Sequence, residues 1–127
     1  MGNMNLFAGW IGVLGGVLSG AIIGLFFHRD DWAGGYGSFA RRMLRLGHIS
    51  FFGIAFLNFA LGFTLTVVSL PSVFVQVASL AMVVGAVTMP LFCFLTAWRK
   101  AFRHLFFIPV ASVLVSALGV VFGWPAT

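Results

Sequence analysis

Charged residues are scarce in this 127-residue sequence, and acidic residues are nearly absent from it. Only 7% of the residues are charged, whereas ordinary globular proteins contain roughly 25%. So few charged side chains cannot coat a water-soluble particle of this size. The composition therefore predicts an all-α integral membrane protein, and the length predicts one membrane domain over residues 1–127.

The only carboxylates among the side chains are Asp30 and Asp31, and they lie outside every long apolar segment. Lys and Arg are likewise absent from those segments, although proton-coupled transporters use a buried ionisable group as their carrier. The apolar segments also lack the carboxylate pairs used in hydrolysis and the acidic cages that bind calcium or magnesium. These absences make a small-solute carrier the third interpretation, and they predict a chain that is not itself an enzyme.

Cysteine occurs once, as Cys93. A single cysteine excludes an internal disulfide and any Cys-x-x-Cys metal site. The side chains left to bind a metal close together in sequence are His28, Asp30 and Asp31, because imidazole and carboxylate groups are common metal ligands. The sequence therefore offers these three residues as a candidate metal site in the first connection.

Hydrophobic residues make up 61% of the chain and concentrate in four segments, at residues 6–27, 47–69, 73–97 and 105–122. As a helix, the first segment would be about 33 Å long, which matches the membrane hydrocarbon core of about 30 Å. A tight turn at Pro71 and a short connection at residues 98–104 make successive segments antiparallel neighbours. The predicted fold is an antiparallel bundle of four transmembrane helices, with a longer connection at residues 28–46.

All seven Lys and Arg residues lie in the two connections that follow the first and third segments. They are Arg29, Arg41, Arg42, Arg45, Arg99, Lys100 and Arg103. Because cytoplasmic loops are enriched in Lys and Arg, this distribution predicts that both termini lie on the non-cytoplasmic side of a bacterial inner (cytoplasmic) membrane. The net charge of +5 then indicates contact with anionic lipids at the cytoplasmic face, and not with nucleic acid.

Small and polar residues inside the apolar segments indicate how the helices pack. Gly12, Gly16, Gly20 and Gly24 recur at every fourth position, and this spacing lets another helix approach closely. Asn58 lies near the middle of the second segment, where an unpaired amide is costly, so we expect it to bond to a neighbouring helix.

A cytoplasmic extension of the second helix is predicted to begin after Ser38, because serine is a favoured N-cap residue. Within this extension, the apolar residues fall on one side of the helix and Arg41, Arg42 and Arg45 fall on the other. We therefore expect all three arginines to face the lipid headgroups and solvent.

Three histidines, His28, His48 and His104, lie at the predicted cytoplasmic edge of the bundle. Neutral imidazole is the usual protein ligand of haem iron. If the second and fourth helices lie diagonally across the bundle, a flat porphyrin fits between them, with His48 and His104 as axial ligands. The phrase Gly47-His48-x-x-x-Phe52 resembles helices of haem-carrying respiratory subunits, which carry a second histidine that this helix lacks.

The sequence leaves two main interpretations of function. The first is a non-catalytic accessory subunit of a larger energy-transducing membrane complex for respiratory or photosynthetic electron transport, in contact with other integral membrane subunits. The alternative is an electron-transfer subunit that binds haem b or a chlorophyll-type pigment through His48, with or without His104. A bound lipid or quinone is compatible with both, and in both the chain would serve an oxidoreductase complex without catalysing a reaction itself.

Overall fold

The computed structural model describes residues 1–125, and all regular structure in that range is helical. The α-helices are α1 (Gly2–Phe27), α2 (Phe39–Val67), α3 (Ser72–Trp98) and α4 (Phe107–Gly123). Two short 3-10 segments, Trp32–Gly34 and Lys100–Leu105, lie in the connections that follow α1 and α3. Over residues 1–125, four helical segments are long and apolar enough to cross a membrane. The prediction of an all-helical chain with four such segments is confirmed.

The helix ends follow from local chemistry. Helix α1 begins at Gly2 rather than at residue 6. The polar residue Asn5 can lie inside the helix, ahead of the apolar segment, because its side-chain amide is hydrogen-bonded to Asn58 in the protein interior. Ser38 is the N-cap of α2, as predicted, and its Oγ accepts a hydrogen bond of 3.0 Å from the backbone N–H of Arg41. Pro109 lies in the first turn of α4, where the missing N–H costs no helical hydrogen bond.

The helices pack in the order of the chain. Helix α1 packs on α2, α2 on α3, and α3 on α4, while α1 makes a smaller contact with α3. Among the residues described, α4 has at most marginal contact with α1 or α2. The four helices therefore form a serial array, and α1 and α4 are its outer helices. In a closed bundle, by contrast, the first and fourth helices would also be neighbours.

The outer helices each have one face suited to close packing, which explains the serial order. The small residues of α4 face α3, where the Oγ of Ser116 donates to the carbonyl of Ala78 at 2.8 Å. A Cβ added to Gly119 would lie 3.3 Å from the Cβ of Ala78, so the two backbones approach closely here. The central apolar core consists of Leu61, Ala78 and Met82, between α2 and α3.

Candidate functional site

The glycine ladder of α1 is filled by side chains of α2. A Cβ added to Gly12 would lie 2.9 Å from the Cβ of Ala55, and one added to Gly16 would lie 2.6 Å from the Phe52 ring. Gly24, by contrast, is exposed and has no such neighbour within 4 Å. Most of the ladder is thus used within this chain, and a partner subunit would have to contact other faces.

His48 packs against the same ladder and is held in one orientation. A Cβ on Gly20 would lie 2.5 Å from the Cε1 atom of His48, so only glycine leaves room for the imidazole. The Nδ1 atom of His48 lies 3.2 Å from the Oγ of Ser19, and that Oγ also lies 3.1 Å from the carbonyl oxygen of Gly16. The ring of Phe52 meets the imidazole edge to face at 5.5 Å.

The hydroxyl of Ser19 has one proton, and this limits which tautomer a neutral His48 can adopt. If the hydroxyl donates to Gly16, the Nδ1–H of His48 must donate to Ser19, and in the neutral imidazole Nε2 then carries the lone pair. No group within residues 1–125 forms a hydrogen bond with Nε2. Donation from one ring nitrogen to an oxygen is the pattern that orients histidines in metal sites, but here Nε2 packs against α1, 3.2 Å from the position that a Cβ on Gly20 would take.

The other two histidines lie apart from this arrangement. His104 is exposed in the 3-10 segment Lys100–Leu105, which packs on α3, whereas His48 faces α1. The structure therefore does not bring His48 and His104 together, and their joint ligation of a haem stays a prediction. His28 is also exposed, at the end of α1.

The first connection does not assemble a metal site in the part of the chain described. Residues 1–125 contain no group of three or more His, Cys, Asp and Glu side chains placed to hold a metal ion. His28, Asp30 and Asp31 are all exposed, and Asp31 forms an ion pair of 3.6 Å with Arg29. The suggested metal site at these residues stays a prediction that the geometry does not favour.

Arg41 differs from the other arginines of the connections. The expectation that it faces headgroups and solvent is wrong, because its side chain is 0% exposed. Its Nη2 donates to the carbonyl oxygen of Phe27 at 2.6 Å, and its Nη1 donates to that of Arg29 at 3.2 Å. The guanidinium carbon also lies 3.8 Å from the centre of the Tyr36 ring and 5.4 Å from that of Trp32.

Arg41 is buried because the first connection folds back over the start of α2. The cation then meets the carbonyl group of Phe27 at the end of α1, which carries the negative end of the helix dipole, and the carbonyl group of Arg29 just beyond it. The aromatic rings around it add cation–π attraction. Arg41 is thus a cap for α1 that ties the first connection to the second helix, and we call this cluster of Phe27, Trp32, Tyr36 and Arg41 the arginine cap.

The remaining basic residues are exposed and share one end of the array. They are Arg29, Arg42, Arg45, Arg99, Lys100 and Arg103. The Nζ of Lys100 lies 5.3 Å from the ring of Phe39, so the connection after α3 lies beside the start of α2. We call this the basic end.

A buried polar cluster joins three helices at the other half of the array. The Nδ2 of Asn5 on α1 donates to the Oδ1 of Asn58 on α2 at 3.0 Å and lies 3.3 Å from the carbonyl of Ser79 on α3. Asn58 in turn donates to the carbonyl of Ile54 at 3.0 Å. Asn5 was not identified from the sequence, since an amide ahead of an apolar run resembles a helix boundary.

Two cavities lie along α1 on the side that faces α3. The larger has a volume of about 550 Å³ and is lined by Ala8 and Phe51 and by the region of α3 around Pro90. The smaller, of about 350 Å³, is lined by Ser19, Trp32 and other residues nearer the basic end. Phe94 borders both cavities.

Comparison with known proteins gives no further guide, because no protein-family model, curated protein or solved structure matches this chain. The function must therefore be inferred from the chemistry of the side chains. The two side-chain carboxylates are exposed in the first connection, the one cysteine is buried, and His48 is oriented by Ser19.

Proposed function

We propose that this chain is a non-catalytic subunit that is integral to a membrane and packs against other integral membrane subunits. The observation that carries this proposal is the exposed apolar surface of the outer helices. Of the residues of α1, only Asn5, Gly9 and Gly16 are buried, while Trp10 is 66% and Leu14 is 54% exposed. Such faces are compatible only with lipid or with further apolar helices.

A larger energy-transducing complex, respiratory or photosynthetic, is the setting that we propose. The chain is almost entirely membrane-compatible helix, and its buried polar groups serve packing rather than catalysis. The exposed faces of the two outer helices, α1 and α4, would let the chain contact a neighbouring subunit on each side.

The expected result of native electrophoresis after mild detergent extraction is that the tagged chain migrates with a complex much larger than itself. Migration as a lone chain or as a dimer of itself would contradict this proposal.

Membrane insertion with both termini on the non-cytoplasmic side is part of the same proposal. It is supported by the four apolar helices and by the position of both Lys- and Arg-containing connections at the same end of the array. The exposed basic residues would contact anionic headgroups at the cytoplasmic face of a bacterial inner membrane.

Two exposed positions test the orientation in cells with a membrane-impermeant maleimide. We expect Ser69→Cys, in the connection between α2 and α3, to be labelled from outside and Gly37→Cys, near the basic end, to be protected. Equal labelling, or the reverse pattern, would overturn the orientation. Cys93 is buried and provides an unlabelled background.

A second function, binding of haem b or a chlorophyll-type pigment by His48, is favoured by the Ser19–His48 hydrogen bond. This bond orients the imidazole as second-sphere oxygens orient the histidines of metal sites. If His48 is a ligand, the purified protein should have a strong Soret or pigment absorbance that His48→Ala abolishes and His28→Ala retains. Colourless protein from a host that makes the cofactor would reject this function and leave the subunit role intact.

A further inference from the structure

Two separate connections bring three basic residues to one place at the basic end. The Nζ of Lys100 lies 5.3 Å from the ring of Phe39, which is the first residue of α2. Arg42 follows Phe39 by three residues, and residues at this spacing lie on the same side of an α-helix. Arg103 follows Lys100 by three residues in a 3-10 segment, where this spacing also places side chains on one side. We call Arg42, Lys100 and Arg103 the basic patch.

The basic patch has no acidic partner within the chain. All three of its residues are exposed, and the one ion pair within residues 1–125 joins Arg29 to Asp31. Asp30, the other side-chain carboxylate, lies beside them in the first connection. The positive charge of the first connection is therefore compensated where it begins, while that of the basic patch is not. An external anion is attracted to the basic patch and not to the surroundings of Arg29.

Exposed aromatic residues lie at the same level as the basic patch. Trp98, the last residue of α3, is 72% exposed, and Phe107, the first residue of α4, is 66% exposed. Tryptophan at the end of an apolar helix is typical of the lipid headgroup level of a membrane. The long stems of Lys and Arg let their charged groups reach the headgroups from this level. The anion that meets the basic patch is thus the phosphate of a phospholipid.

The charge of the basic patch favours a headgroup with more than one phosphate. A phosphodiester carries one negative charge at neutral pH, so a single one leaves most of the charge of three cations uncompensated. A lipid with two linked phosphodiesters supplies two charges in one binding event. Once its first phosphate is bound, the second is held close by and binds at a high effective concentration.

Given the proposed membrane insertion, we propose that the basic patch binds a phospholipid whose headgroup contains two phosphodiesters joined by glycerol, as in cardiolipin. Arg42 would hold one phosphate, since a guanidinium can bond to two phosphate oxygens at once. Lys100 and Arg103 would hold the other. One lipid would thereby join the start of α2 to the connection after α3.

Native mass spectrometry of the full chain released from detergent micelles measures this binding. The micelles contain cardiolipin, or phosphatidylglycerol at twice its concentration so that the phosphate content is equal, or phosphatidylcholine, which has no net charge. We expect one cardiolipin per chain, bound about fivefold more tightly than phosphatidylglycerol, because one additional charge contact near a membrane surface supplies a factor of about this size. Phosphatidylcholine should bind most weakly.

Two triple variants distinguish a site from general attraction. The first replaces all three residues of the basic patch by glutamine. The matched variant makes the same change at three other exposed positions of the basic end, Arg29, Arg45 and Arg99. The first variant should bind cardiolipin about a hundredfold more weakly and lose its preference over phosphatidylglycerol, whereas the matched variant should keep that preference. Circular dichroism checks that both variants retain the helix content of the wild type.

Two results would overturn the proposal. They are equal affinity of the wild type for cardiolipin and phosphatidylglycerol at equal phosphate, and equal loss of cardiolipin binding in the two triple variants. Both results would indicate diffuse attraction between the basic end and anionic lipids, and they would leave the proposed membrane insertion intact. A chain that does not enter detergent micelles would overturn the insertion and the lipid site together.

Discussion

The arginine cap predicts that one of two adjacent arginines is essential for stability and the other is not. Arg41 is buried and bonded to the end of α1, whereas Arg42, the next residue, is exposed. Methionine at either position keeps an unbranched apolar stem and removes the charge. The pair Arg41→Met and Arg42→Met therefore compares the same chemical change in two environments.

Favourable contacts of the guanidinium and the cost of its desolvation together determine how much Arg41→Met changes the free energy of unfolding. A hydrogen bond from a charged donor contributes about 1.5–3 kcal/mol, and Arg41 makes two, at 2.6 and 3.2 Å. The cation–π contact with Tyr36 adds about 0.5–2 kcal/mol. Desolvation of the guanidinium opposes these gains by several kcal/mol. Because methionine leaves two carbonyl groups without their donor, we expect Arg41→Met to lower the free energy of unfolding by about 2 kcal/mol.

The assay is equilibrium unfolding in mixed micelles, followed by circular dichroism, together with amide hydrogen exchange of residues 28–38. Arg42→Met should change the free energy of unfolding by less than about 0.5 kcal/mol. Arg41→Lys should have an intermediate effect, because an ammonium group keeps the charge but not the planar fork. If Arg41→Met unfolds at the same denaturant concentration as Arg42→Met and leaves exchange in the first connection unchanged, the cap is refuted.

Three further predictions concern packing. Gly16→Val should destabilise by about 1–3 kcal/mol through overpacking against α2, whereas Gly24→Val should be close to neutral; equal unfolding midpoints would contradict the packing. In a double-mutant cycle, Asn5→Ala and Asn58→Ala should show a coupling of about 0.6–1.7 kcal/mol, and strict additivity would exclude their hydrogen bond. Cys93 should react with maleimide only after unfolding, and fast labelling of the folded chain would be inconsistent with its burial.

The sequence predicted those parts of the fold that depend on one helix at a time. The four apolar segments, the N-cap at Ser38 and the turn at Pro71 each follow from residues close together in the chain. The serial order of the helices did not follow, because periodicity identifies a small-residue face but not the helix that covers it. The early start of α1 depends on Asn5 meeting Asn58, which is distant in sequence.

The arginine cap could not be predicted from the sequence for the same reason, because it depends on contacts between separate segments of the chain. Arg41 and Arg45 are four residues apart and share a side of the isolated helix, so a helical pattern cannot distinguish them. What separates them is the first connection, which covers Arg41 with Tyr36 and Trp32 and leaves Arg45 exposed. Similarly, the sequence marked His48 as a ligand candidate, but its hydrogen bond to Ser19 depends on the docking of α1.

The proposed subunit role rests on the claim that the free face of an outer helix is covered by another membrane subunit. A photoreactive phenylalanine analogue at Leu14, which is 54% exposed on α1, tests this claim directly in native membranes, with Gly37 in the first connection as the control position. We predict that irradiation links Leu14, and not Gly37, to a distinct integral membrane protein. Adducts with lipid alone from Leu14, and likewise from Leu118 on the free face of α4, would rule out the subunit role.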